Sequence, residues 1–149
     1  MAERKKFILS DIIKKDIKGW ERQKKVIPPL LANEMVNDFT QNFTRQGFRN
    51  VNTKKWKQRK GNTDPGRGIL IGKGSGNKLF RSIKAIKVNS NRVLVGSTVN
   101  YAGVHNYGLR SGRGRGFQMP KRQFIGYSKT LRDNLIKLIL KRIDKGFNK

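Results

Sequence analysis

Between Phe39 and Arg132 the sequence carries 21 lysines and arginines against a single acid, Asp64. The whole chain holds 35 basic residues and 9 acidic ones, a formal net charge of +26. Self-repulsion on that scale disfavours a lone monomer, so a polyanion or a strongly acidic assembly partner is the natural counterpart. A lysine-rich surface that serves only solubility is the blander explanation.

The same shortage of carboxylates narrows the chemistry. His105 is the only histidine. A nucleophile–histidine–acid arrangement needs an orienting carboxylate, and only Asp64, in a turn signal, is available over residues 39–132. Two-metal nucleases and paired-carboxylate hydrolases need several acids in one place. Zinc needs more histidine or cysteine than the chain has. No catalytic residue, no metal site and no cofactor is expected, and His105 is read as a structural hydrogen-bonding residue. Gly74-Ser75-Gly76 has the spacing of neither a phosphate loop nor a dinucleotide fingerprint and reads as a flexible joint.

Length and composition allow a folded chain. One domain is the simplest organisation for 149 residues, and a chain of that size buries roughly 68–70% of its unfolded surface. The absence of cysteine rules out a disulfide framework and fits a reducing compartment. Only Phe7, Ile8 and Leu9 precede Ser10 and Asp11, too short a core for a signal peptide, and no run approaches a membrane span.

The apolar pattern predicts helices at both ends. Leu9, Ile12, Ile13, Ile17 and Trp20 share one helical face, with Ser10 or Asp11 as cap. Pro28-Pro29 interrupts and should start a second helix, whose ladder is Leu31, Met35, Phe39 and Phe43, ending near Gly47. That ladder reads as core. A last helix carries Leu131, Leu135, Leu138, Ile139 and Ile143, with Thr130 and Asp133 spaced as a capping box.

Between them the middle reads as sheet. "GILIG" (68–72), "SIKAIKV" (82–88) and "RVLVGS" (92–97) are strand-like, with Asn89-Ser90-Asn91 as a hairpin turn. Residues 47–68 show no period, and Asp64-Pro65-Gly66 is a turn signal. Within that stretch Trp56 stands among Lys54, Lys55, Lys57, Arg59 and Lys60. Such a tryptophan either stacks on a nucleic-acid base or pins the loop to the body; the second is preferred. The expected class is α+β, a small antiparallel meander packed on N-terminal helices and a C-terminal helix. Its parts are a helical segment (1–47), a basic loop with Trp56 (48–68), a sheet with a flexible loop at 108–119 (69–126) and the closing helix (127–146).

Five pieces in order, Trp56, Leu79-Phe-Arg-Ser-Ile83, Val93-Leu-Val-Gly96, Tyr101-Ala-Gly-Val-His105-Asn-Tyr-Gly108 and Met119-Pro-Lys-Arg-Gln-Phe-Ile-Gly126, resemble the phage virion morphogenesis family of Mu-type tail-completion proteins. The likeness covers about residues 40–145. Asn106 stands where the family often has glutamine, and the tryptophan loop is more basic and lacks the common Pro-Asp-Gly lead-in.

The resemblance implies a non-enzymatic component of the neck or tail, a ring of identical subunits, hexameric or dodecameric, that completes the tail or joins it to the head. Its partners would be itself, other neck, connector and tail-tube proteins, and viral DNA bound without regard to sequence. No membrane is implied. It would reside in the virion, and in host cytoplasm during assembly. Tyr101, His105, Gly108, Pro120, Arg122, Phe124 and Gly126 take the motif positions. Gly108 and Gly126 would permit sharp turns, Pro120 would fix the chain's re-entry from the loop, and Phe124 with Ile125 would plug the joint of sheet and helix. Arg122 would brace a neighbouring subunit through its planar fork.

Between two ordered motifs, "LRSGRGRGFQ" (109–118) reads as a tethered flexible arm tipped with Arg110, Arg113 and Arg115, alongside Lys121. In a ring such arms would meet DNA phosphates or an acidic neighbour and order on contact. A solvated loop of no consequence is the competing reading. Charge alone would suggest another function, a free sequence-non-specific nucleic-acid-binding protein, although no nucleic-acid-binding module is present.

Overall fold

A computed structural model describes residues 9–59, 61, 66–72 and 78–147, with side chains from residue 13 onward. Lys60, most of the Asp64-Pro65-Gly66 turn, the Gly74-Ser75-Gly76 joint and the side chains of Leu9 and Ile12 lie outside the described residues.

The class is α+β, with helices at both ends and short antiparallel pairs between them. The N-terminal part, expected as two helices, is one: α1 runs from Leu9 to Arg45 with Pro28 and Pro29 inside it. An interior proline deprives the carbonyl four residues back of its N–H donor, here those of Lys24 and Lys25. Both residues are exposed and line a groove with Pro28, Pro29, Val88 and Asn89, where water can serve the freed carbonyls. Tertiary packing carries the helix across the break. The first apolar stripe is less covered than the second: Ile13 and Ile17 are 49% and 55% exposed, while Phe39 and Phe43 are 3% and 0%.

Gln46, at φ 52°, turns the chain left-handed and ends α1. The chain then forms β1 (Gly47–Arg49) and β2 (Thr53–Lys55), an antiparallel pair within the stretch that showed no period. Gly47 is required there, because a Cβ would come within 2.6 Å of the Lys54 carbonyl oxygen. "GILIG" is not a strand. Leu70 has φ 61°, and Ile69, buried, has its N–H and C=O held by the Gln46 side-chain amide instead of a neighbouring strand.

A short helix, α2 (Lys78–Arg81), precedes the hairpin of β3 (Ile83–Asn89) and β4 (Arg92–Ser97). The Asn89 side chain accepts the N–H groups of Asn91 and Arg92 at 3.2 and 2.7 Å, which fixes the predicted turn. After α3 (Ala102–Tyr107) comes a third pair, β5 (Arg110–Ser111) with β6 (Phe117–Gln118). Among the described residues the strands thus make three separate two-stranded sheets rather than one meander: the first two pairs pack along α1, and the β5–β6 pair makes no comparable contact with a helix.

The last helix, α4, spans Lys129–Phe147. Its cap is Ser128, whose hydroxyl accepts the Leu131 N–H at 3.2 Å. Thr130, the predicted cap, donates instead to the Asn50 carbonyl, and Asp133 pairs with Arg132. Antiparallel to α1, α4 brings Gly146 against Gly19, where a Cβ on Gly19 would collide with the Gly146 carbonyl. Trp20 and Phe147 stack beside that crossing, 6.3 Å between centroids. The core centres on Phe43, which meets Trp56, Phe80 and Phe124 at 5.5, 5.6 and 5.0 Å.

Candidate functional site

The motif residues from Tyr101 to Gly126 gather around one buried segment. Phe124 is fully buried, and both of its backbone polar groups are taken by side-chain amides. Its N–H and that of Ile125 donate to Asn106 Oδ1, each at 2.9 Å, and Asn106 Nδ2 donates to the Ile125 carbonyl at 3.1 Å. Asn42, from α1, donates to the Phe124 carbonyl at 3.1 Å and accepts the Arg49 N–H at 3.2 Å. A buried amide thus does the work of a missing strand, leaving none of these groups unpaired.

Trp56 is 5% exposed and donates its indole N–H to the Gln123 carbonyl at 2.8 Å, with its ring edge on Phe43. Arg122, expected at a partner's surface, is turned inward at 7% exposure. Its Nε and Nη2 donate to the Lys57 carbonyl at 3.3 and 3.2 Å, so its planar fork braces the tryptophan segment of its own chain. Burial pushes the Arg122 pKa down, and the nearby Arg59 charge adds to the effect.

His105 sits between Tyr101 and Arg122. Its ring meets Tyr101 edge-on at 6.1 Å, its carbonyl accepts the Arg122 N–H at 2.8 Å, and its Nδ1 is buried without a hydrogen-bond partner. Burial lowers its pKa, and the Arg122 charge lowers it further, so the ring is neutral at pH 7. Gly108 ends α3 in the left-handed region, φ 72°, and a Cβ there would stand 2.9 Å from the Lys121 backbone. Gly126 has no positive φ, and a Cβ there would collide only with the movable end of the Gln123 side chain, so no sharp turn requires glycine at this position.

The arm of residues 109–118 is a folded hairpin rather than a flexible loop. Arg110 pairs with Gln118, Ser111 with Phe117, and the Met119 N–H donates to the Leu109 carbonyl at 3.2 Å. Pro120, without an N–H, ends the ladder. Gly112, Gly114 and Gly116 take φ of 105°, 58° and 56°, which the tight turn demands and other residues resist. Arg110, Arg113 and Arg115 are all exposed.

At the foot of the hairpin Lys121 shares a small cleft with Lys54, Lys55, Trp56, Phe48 and Gln123. Lys121, against whose backbone Gly108 packs at the foot of the hairpin, thus lies beside the tryptophan loop. Among the described residues no group of His, Cys, Asp and Glu is placed to hold a metal, and no helix is long and apolar enough to cross a membrane.

The sequence profile of the phage virion morphogenesis family matches residues 8–144. The chain belongs to that family. No curated protein and no solved structure gives a significant match. As a virion morphogenesis protein it has a structural part in building phage particles, in contact with other virion components. In this family member the motif residues Tyr101, His105, Gly108, Pro120, Phe124 and Gly126 lie within or against the buried knot, while Arg110, Arg113, Arg115 and Lys121 face outward. Sequence reasoning missed Asn42, Asn106 and Gln46. The one available signal was Asn106 itself, which interrupts the motif directly after His105.

Proposed function

We propose that this protein acts without turnover as a neck or tail component, completing the tail or joining it to the head as a ring of identical subunits around the DNA channel. Family membership over residues 8–144 carries the reading. The net charge of +26, with one acid over residues 39–132, supports a polyanionic or acidic neighbour in the assembled particle. Arg110, Arg113, Arg115 and Lys121 are the contact residues, and Trp56 anchors the loop behind them. The ring would be hexameric or dodecameric, with the neck, connector and tail-tube proteins as neighbours and viral DNA passing through it. It would assemble in host cytoplasm and remain in the virion.

Particle imaging of the purified protein tests the ring, and infection with a phage lacking the protein tests the role. The expected result is rings, with unjoined heads and tails in the mutant lysate. Monomers that bind duplex DNA tightly, with affinity falling steeply as salt rises, together with normal joining in the mutant, would overturn it in favour of a free nucleic-acid-binding protein.

A further inference from the structure

The hairpin of residues 109–119 has two unlike faces. Cross-strand partners share a face and successive residues alternate, so Arg110 and Gln118 point one way and Ser111 and Phe117 the other. Leu109 and Met119, two residues from Ser111 and Phe117 respectively, fall on the Phe117 side. On that side Leu109 is 49% exposed and Phe117 is 56% exposed. One edge of the Phe117 ring lies over Gly112, and of the four side chains on this face Ser111 and Met119 are partly covered while Leu109 and Phe117 stay exposed. Arg113 and Arg115 ride on the turn beyond it.

Within the assembly role proposed above, we infer that this hairpin is a protein-docking finger. Its Leu109–Phe117 face seats in an apolar recess of a different virion protein, whose rim supplies carboxylates to Arg113 and Arg115. Phosphate binding needs cations and has no use for an exposed leucine and phenylalanine. Aromatic side chains together with arginine mark the buried centre of protein interfaces. A second copy of this chain is a poor seat. Of its exposed apolar sites, Ile86 and Leu94 on the β3–β4 hairpin stand among Lys84, Lys87 and Arg92, where an arginine tip meets like charge, and Ile136 and Leu140 on α4 carry Lys137 and Lys141 beside Asp133 and Asp144. With a net charge of +26 a second copy is a poorer source of carboxylates than an acidic chain, so the seat is assigned to a different protein.

Phe117→p-benzoylphenylalanine, incorporated during infection and irradiated in purified particles, tests the inference with the aromatic face intact. The expected adduct joins this chain to a virion protein of net negative charge, and Arg113→Ser/Arg115→Ser lowers its yield about tenfold. In parallel, Leu109→Ser/Phe117→Ser should reduce incorporation into particles about tenfold while changing affinity for short duplex DNA by less than about twofold. An adduct to DNA or to a second copy, or none in particles that contain the protein, overturns the docking finger and leaves the assembly role standing. Particles that never contain the protein overturn both.

Discussion

Residues 109–118 and 119–126 are neighbours in the chain and opposites in construction. The second stretch is covered apart from Lys121: Phe124 at 0% exposure has its backbone held by Asn42 and Asn106, with Trp56 and Arg122 closing the sides. The first stretch stands in solvent on two cross-strand pairs and a glycine turn. Stability in the knot depends on satisfied polar groups, because a donor left unpaired there has no water to turn to. In the hairpin every arginine is already solvated, so its side chains are free to serve a partner. Gly108, backed against Lys121, is where one construction gives way to the other.

Asn106→Ala should give the largest effect, since it strands the N–H groups of Phe124 and Ile125. We expect a loss of about 3 kcal/mol, read as a melting point lowered by roughly 6–12 °C. A shift of a degree or two would mean that the knot is not what holds residues 119–126. Gly108→Ala tests the border, combining left-handed strain with a clash at Lys121. It should cost about 2 kcal/mol, while Gly114→Ala, with open space around its Cα, should cost only the strain. Trp56→Phe keeps most of the packing but leaves the Gln123 carbonyl without its donor, at about 1 kcal/mol by chemical denaturation.

A pH series sharpens the contrast further. The folded state holds His105 neutral below the ordinary value of 6.5, whereas the unfolded chain takes up a proton there. His105 therefore contributes stability above pH 6.5 that is lost as pH falls through that value toward the lowered folded pKa. Melting curves over this range should show the decline, and His105→Gln should flatten it. At the other extreme, Arg113→Ser/Arg115→Ser should move stability by less than about 0.5 kcal/mol. A larger loss would place the hairpin tip in the fold rather than at a partner.

The sequence by itself determined the class, the helical ends, the β3–β4 hairpin and the absence of clustered acids. Each of these is a local property: a repeat of apolar residues, an Asn-Ser-Asn turn, a count of carboxylates. It also exposed the positive surplus and the ordered motifs, from which the family was legible. Tertiary structure alone decided that α1 runs through Pro28-Pro29, because packing on α4 and the β3–β4 hairpin supports a helix that propensity would break. It alone turned Arg122 inward, since nothing in a string of letters says whether a guanidinium finds its carbonyl at Lys57 or on another subunit. Asn42 and Asn106 were illegible for the same reason. An asparagine's partners are set by which backbone lies opposite it, and here that backbone is 82 and 18 residues away.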